Sequence, residues 1–425
     1  MEENIVTENT VETKKKKGKG VKGFFKGLLI FVLGSTTGTL ITLLIVLIAG
    51  LLMYSFNQQK MSQIVGTNGF IDAEAATKLD ILEDMIEYYY YEDVDREDLK
   101  NGLYQGLMTS VGDPYTCYYT PEELKDMNAD WNGNYEGVGA YIKLDTEVGY
   151  PMMESFIEGG SAGECEELTA GDYIIEVEGE DVYGQTLNEV VSKIKGPEGT
   201  FVNITMEGAN GRYKIDLERR KIETPTVKVN DEGDNIWKIQ VTEFDNITIS
   251  QFDDALKQIK EAGAEGLIID LRGNPGGNLN AVVDMCNNIL PEGVIVYTED
   301  KNGKRVDYTS DGKNELQIPL VLLVDGGSAS ASEIMAGAIK DYKKGTLIGT
   351  TTFGKGIVQS VLPLGDGSAI KITTSKYYTP NGNNIHKIGI EPDIEVKLDA
   401  EKYLEDGTDS QLEYAVDYLK KEIGK

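Results

Sequence analysis

The stretch GLIIDLRGNPGG (266–277), followed by IPLVLLVDGG (318–327) and SASASEIMAGAIKD (328–341), decides the fold. Each of the first two segments is an unbroken apolar run ending in a glycine-rich turn. A strand that is apolar on both faces must be covered on both faces, which is the habit of parallel sheets. The third segment reads as a helix rich in small residues. Around them IWKIQV (236–241) reads as another strand, and SQFDDALKQIKEAG (250–263) and NLNAVVDMCNNIL (278–290) as helices. Alternating strands and helices specify parallel strands with crossover helices, an α/β core.

Towards the N-terminus the period changes. YEGVGAYIKL (135–144), PMMESFI (151–157), GDYIIEVEGEDV (171–182) and FVNITMEG (201–208) are β-rich runs broken by glycine. Between the last two lies the amphipathic helix LNEVVSKI (187–194), ended by Gly196-Pro197. This inserted module resembles a PDZ domain of the bacterial protease type, and AGDYIIEVEGEDV (170–182) matches the aGD-I-vnG signature of such domains. The resemblance implies that Gly137, Val138, Gly139 and Ala140 form the loop that binds a peptide C-terminus. Glycines there let backbone amides converge on a terminal carboxylate, and the next strand offers an edge for β-augmentation. Taken alone, those four residues read equally as a plain turn. GGSAGECEEL (159–168) departs from the usual pattern of such domains, which puts the groove's details in doubt.

Residues 72–110 read as helix, with VGDPYTCYYTPEEL (111–124) supplying turns at Asp113-Pro114 and before Pro121. A helical spacer is the plain alternative for this region. DSQLEYAVDYLKKEI (409–423) reads as a terminal helix.

The net charge of the 425 residues is −30, but it is unevenly spread. Residues 1–26 hold seven lysines against four glutamates, a net of +3, which leaves −33 for the remainder. Between the two parts, Leu28 to Tyr54 runs for 27 residues without a charge. About 20 apolar residues span a bilayer as a helix, so a single-pass anchor is expected here. The flanking lysines place the N-terminus in the cytoplasm and the chain from about residue 57 outside it, at the cell membrane. The expected organisation is a basic tail (1–26), a transmembrane helix (27–56), a helical region (57–130), the inserted module (131–220), the α/β core (221–400) and a C-terminal helix (401–425).

So acidic a body repels phosphate backbones, which argues against nucleic acid as a partner. The chain has one histidine, His386, which excludes a His-rich metal site and leaves one candidate for an imidazole base. Cys117, Cys165 and Cys286 lie far apart and form no CxxC pair, so neither structural zinc nor a full disulfide framework is expected.

Two neighbouring features carry chemistry. The strand before residue 328 delivers Ser328, Ser330 and Ser332 to a helix start, where a hydroxyl can sit beside free backbone N–H groups. About 25 residues on, TTTFGKGIVQSVLPL (350–364) sets Lys355 between two glycines in a β-like run. Strand alternation would put Lys355, Ile357 and Gln359 on one face. With a single histidine present, a desolvated lysine is the plausible base for a serine, and a same-face glutamine could orient the amine. Simpler readings stand beside this: Ser330-x-x-Glu333 fits a capping box, and Lys355 fits a solvated strand lysine. Gly349 to Lys355 copies the start of a phosphate-binding loop. Gly356, however, replaces the Ser or Thr that would hold magnesium, and strand-like sequence follows.

DLRGNPGG (270–277), VDGGSASASEI (324–334), TTFGKGIVQ (351–359) and DGSAIKITTSKYYTPNG (366–382) closely resemble the carboxyl-terminal processing peptidases, the tail-specific serine proteases of family S41. GIEPD (389–393) and VGDPYT (111–116) agree as well, and the resemblance covers about residues 72–420. It implies a ClpP/crotonase-like core, no cofactor and no metal, and protein or peptide substrates with free, nonpolar C-termini. It makes Ser330 the nucleophile, Lys355 the base and Gln359 its orienting partner, with Gly276 and Ala331 forming the oxyanion hole. His386 takes a structural or surface role, and a homodimer through the terminal helices is consistent with the family. Two rival readings are a noncatalytic peptide-binding scaffold and a PDZ-bearing protease of the chymotrypsin class. The second would need His386 as base and a β-barrel core.

Overall fold

The computed structural model describes residues 71–425. The expected basic tail and the Leu28–Tyr54 span lie outside the described residues. Among the described residues no helix is long and apolar enough to cross a membrane. The helix Ala73–Tyr89 belongs to a unit separate from the rest. Asp72 caps it, its carboxylate accepting from the Ala75 N–H at 2.9 Å, and none of its residues is buried. The helix expected over 72–110 is thus two, since the next spans Arg96–Thr109. The chain turns extended at Tyr90, and the intervening Asp93 and Asp95 are residue types that favour caps over helix interiors.

The α/β expectation for the core holds. One sheet runs in the order Val227–Asp231, Ile236–Val241, Gly266–Asp270, Leu320–Val324, Thr346–Gly349, Ile394–Glu395. Its first strand is antiparallel to its neighbour, and the others pair in parallel. The apolar runs are explained by their two covers. Leu267, Ile269, Leu320, Leu322 and Val324 pack into a cluster with the helices Asn246–Glu261, Leu279–Asn287 and Ala331–Tyr342. Ile268, Val321 and Leu323, one residue out of phase, face Ala415 and Leu419 of the C-terminal helix Ser410–Glu422. Period-two alternation therefore persists, but both phases are apolar because both are buried.

A second, antiparallel sheet was only partly foreseen. It joins Cys117–Tyr119, Gly293–Asp300, Arg305–Ser310, Ile357–Pro363 and Ala369–Tyr378. Ile295, Val296 and Tyr377 from this sheet reach the same apolar cluster as the helices, so those helices are packed between the two sheets. The inserted module has its own core of Met153, Ile174, Ile204, Met206 and Val190 between five main strands and the helix Leu187–Ile194. Thr186 and Glu189 cap that helix reciprocally. The module enters and leaves through one antiparallel ribbon, Asn134–Gly137 paired with Arg220–Glu223.

Arg272, at the end of the DLRG segment, ties the C-terminal helix to the sheet. Its guanidinium donates to Asp270 Oδ2 and to Asp409 Oδ2, both at 2.7 Å, and also to Gln411 at 2.9 Å. The Asp270 side chain is 3% exposed, so it cannot exchange this partner for water. Removing one member of a buried pair leaves the other charge uncompensated, at about 3–5 kcal/mol. We expect Arg272→Met to lower urea-unfolding stability by that amount. Asp409→Asn, which leaves the Asp270 pair intact, should cost roughly 1.5–3 kcal/mol, the worth of a charged hydrogen bond.

Candidate active site

The strand Leu320–Val324 lies between two parallel neighbours, and its chain emerges at the carboxyl edge of the sheet. This edge is where open α/β sheets place their ligands. The turn that follows sorts the three serines. Ser328 is fully buried and its hydroxyl donates to the Leu271 carbonyl at 2.7 Å. Ser332 is equally buried and donates to the Asn274 carbonyl at 2.9 Å. Ser330 alone of the three is partly exposed. Its backbone sits at φ 54°, ψ −111°, before the helix Ala331–Tyr342. For a residue with a Cβ, positive φ costs on the order of 1–2 kcal/mol and persists only where the surroundings enforce it.

The surroundings are visible. The Ser330 carbonyl accepts from the Glu333 and Ile334 amides at 2.9 and 3.0 Å, and from the Tyr377 hydroxyl at 3.1 Å. The Ser330 amide donates to Glu333 Oε2 at 2.9 Å. This is the glutamate half of the capping box that the sequence suggested. The same carboxylate does more than cap. Its Oε2 also accepts from the Lys355 amide at 2.8 Å. Its Oε1 accepts from the Gly354 amide at 2.7 Å and the Thr352 hydroxyl at 2.6 Å. Glu333 is completely buried, so one carboxylate clamps the serine turn to the lysine loop. Sequence reading missed this role because a capping box accounts for a glutamate three residues after a serine.

Lys355 is not on a strand. The strand begins at Ile357, and a register shift between Val358 and Gln359 interrupts its pairing. The expectation that alternation would place Lys355, Ile357 and Gln359 on one face is therefore overturned: the lysine loop is shaped by Glu333, not by a pleat. The two flanking glycines have a steric reason. A Cβ on Gly356 would come within 2.6 Å of the His386 amide nitrogen, and one on Gly354 (φ +90°) would lie 3.0 Å from the amide nitrogens of Ile388 and Gly389. The segment 386–389 crosses directly over the loop.

Burial and the nearby Lys371 hold the Lys355 ammonium below the usual lysine range, while Asp113 and Glu333 pull the other way. The Gln359 side-chain amide donates to Thr373 Oγ1 at 3.1 Å rather than to the lysine. Thr373 in turn donates to Asp113 Oδ2 at 2.6 Å. His386 is partly buried beside the loop, and burial with Lys387 and Lys376 lowers its imidazole from the ordinary value.

Gly276 and Ala331 are neighbours. A Cβ on Gly276 (φ +106°) would lie 2.9 Å from the Ala331 nitrogen and 2.8 Å from Ser330 Cβ. Only glycine fits there. Ala331 opens its helix, so its N–H has no intrahelical acceptor. The Gly276 N–H, by contrast, donates to Oδ1 of the buried Asn274 at 2.8 Å. In the inserted module, Gly137, Val138, Gly139 and Ala140 line an apolar groove of about 170 Å³ with Ile142 and Ile194. Tyr135 also lines it, and burial pushes its phenol up to about 12.

Residues 235–396 match peptidase family S41, and residues 51–123 match the N-terminal domain of the activating protease CtpB. The carboxy-terminal processing protease CtpA of Bacillus subtilis (strain 168) is 36% identical over 324 residues, 76% of this chain and 69% of that one. The chain belongs to peptidase family S41. The carboxy-terminal processing protease CtpB of the same organism is 35% identical over 330 residues, covering 76% of this chain and 68% of its own. A solved structure, the photosystem II D1 C-terminal processing protease, is 29% identical, with a TM-score of 0.45 over 74% of this chain and 86% of that one. The family match and the two Bacillus relatives make the molecule a serine-type peptidase of the carboxy-terminal processing kind.

For this S41 peptidase the Glu333 clamp generates a direct test. Glutamine offers one acceptor oxygen, and its NH₂ would face amides that themselves donate. Displacement of a reacting group by about 1 Å can cost roughly 10²-fold in rate. We expect Glu333→Gln to lower kcat/KM by at least that factor. Circular dichroism and a thermal melt would check that the fold survives.

Proposed function

We propose that the peptidase is a single-pass, membrane-anchored endopeptidase that processes proteins at or near their C-termini outside the cytoplasm. Ser330 is the nucleophile, Lys355 the general base and Gln359 a supporting residue. The neutral Lys355 amine takes the Ser330 proton as Oγ attacks the substrate carbonyl carbon. The resulting oxyanion is met by the Ala331 N–H. Gly276 joins it where its N–H turns from Asn274 to the substrate. Collapse expels the amine leaving group, which receives the proton back from Lys355. Water then attacks the acyl-enzyme by the same route, restoring Ser330.

The observation that carries this reading is the shared Glu333 carboxylate, which holds the Ser330 and Lys355 amides on its Oε2. Burial of the lysine supplies the complementary chemistry, because a general base near neutrality needs a pKa well below that of a free ammonium. The Gln359–Thr373–Asp113 chain supports a positioning role for Gln359 at one remove from the lysine. The β-rich insert is read as a PDZ domain. Its apolar groove beside 137–140 suits a nonpolar tail, with the carboxylate directed to the loop amides. The uncharged Leu28–Tyr54 segment and its lysine flank support the anchor and its orientation. Pairing of two chains through their terminal helices belongs to the same reading.

The full-length protein in detergent, given fluorescently labelled casein, tests the assignment. Ser330→Ala and Lys355→Ala should each lose roughly 10⁴-fold or more in kcat, as loss of a nucleophile or its base does in serine proteases. Unchanged cleavage by either variant would sink it. The active base is the neutral amine, so activity should rise with pH through the depressed Lys355 pKa. The midpoint of that rise should lie below the ordinary 10.5. The topology has its own check: protease added to intact cells should digest the chain beyond residue 57, and protection there would refute the orientation.

A further inference from the structure

We infer that Tyr115 is a positioning residue for the base, its ring seating the Lys355 ammonium through a cation–π contact. This rests on the Ser330–Lys355 reading above. Lys355 Nζ lies 4.4 Å from the Tyr115 ring centroid, within the roughly 6 Å over which a ring's quadrupole attracts a cation. The charged groups around the lysine come from three elements. Lys371 lies on the strand Ala369–Tyr378, Glu333 on the helix Ala331–Tyr342, and Asp113 in the loop that carries Tyr115. His386, from the segment packed over Gly356, feels both Asp113 and Glu333. The two carboxylates act on the lysine through space and make no hydrogen bond to its ammonium.

The turn that carries the ring is held at several points. Pro114 fixes its own φ, and the Tyr115 amide donates to Asp113 Oδ1 at 3.1 Å. Asp113 Oδ2 accepts from Thr116 at 2.7 Å and, across to the core sheet, from Thr373 at 2.6 Å. Immediately afterwards Cys117–Tyr119 pairs with Ala369–Lys371. The VGDPYT turn is thereby fastened to the strand that also holds Gln359 through Thr373.

The chemical consequence has a definite sign. When Lys355 takes the Ser330 proton, positive charge develops on its nitrogen in a site that disfavours charge by burial and by Lys371. A π face stabilises that developing ammonium without adding a hydrogen-bond acceptor that would hold the amine away from Ser330. It also raises the lysine's proton affinity, so removing the π density must move the acid limb of the pH–rate profile to lower pH. A cation–π contact of ordinary strength corresponds to a shift of roughly half a unit to one and a half units.

The test uses the full-length chain in detergent and the pH dependence of kcat/KM on labelled casein. Tyr115→Phe should keep the wild-type acid limb, because it keeps the aromatic face. Phenylalanines carrying one, two and three fluorines at position 115 keep the ring's shape while weakening its quadrupole. The limb should then move stepwise to lower pH, with kcat falling and thermal melts unchanged. Tyr115→Leu should reach the far end of the series. A limb that stays fixed across the fluorinated series overturns the inference, even if activity falls, because a structural role lowers the rate without moving the titration. Lys355→Ala separates the two failures. If it still cleaves at the wild-type rate, the base assignment falls and takes the inference with it. If it is inactive while the series is flat, the cation–π role alone is refuted.

Discussion

Everything at this site depends on one buried carboxylate with four donors. Glu333 receives the Ser330, Gly354 and Lys355 amides and the Thr352 hydroxyl. Charge-assisted hydrogen bonds of this kind are about twice as strong as neutral ones, and in a dry interior they cannot be exchanged for water. Such a group defines geometry rather than merely adding stability. It fixes the serine turn in a conformation that a residue with a Cβ resists. It also bends the lysine loop so that its side chain leaves from irregular backbone, before the strand at Ile357 begins.

Around that centre three further supports converge. Asn274 binds the Gly276 amide with its side chain, while its carbonyl accepts from the Ala329 amide and the Ser332 hydroxyl. The Gly276 loop and the serine turn thus share one residue. The Tyr377 hydroxyl reaches the Ser330 carbonyl from the second sheet. The segment 386–389 presses on the glycines flanking Lys355 and leaves room there for no side chain. Each support comes from a different element, which is how a strained backbone can be over-determined.

Much of this was legible in the sequence, for reasons that can be named. The parallel core announced itself because its strands are apolar in both phases, and 266–270 and 320–324 could hardly be anything else. The hairpin Gly293–Asp300/Arg305–Ser310 went unread, although Asn302-Gly303 between two extended runs is a strong turn signal. Periodicity misled at Lys355. A β-rich composition does not reveal that the backbone there answers to hydrogen bonds from a glutamate 22 residues earlier. The choice of Ser330 over Ser328 and Ser332 was equally closed to pattern reading, since all three hydroxyls look alike until burial separates them. The family resemblance had selected the residue that the geometry leaves exposed.

The ribbon that carries the inserted module has an architectural consequence. Because Asn134–Gly137 and Arg220–Glu223 lie side by side, the chain leaves the core and returns to it at nearly the same place. To the host fold, some eighty residues with their own apolar centre amount to one long surface loop, and lengthening such a loop adds only slowly to the entropy of closing it. The insert is in effect a cassette. The Glu333 clamp draws none of its four donors from between the two rails, so its geometry does not depend on what the insert contains.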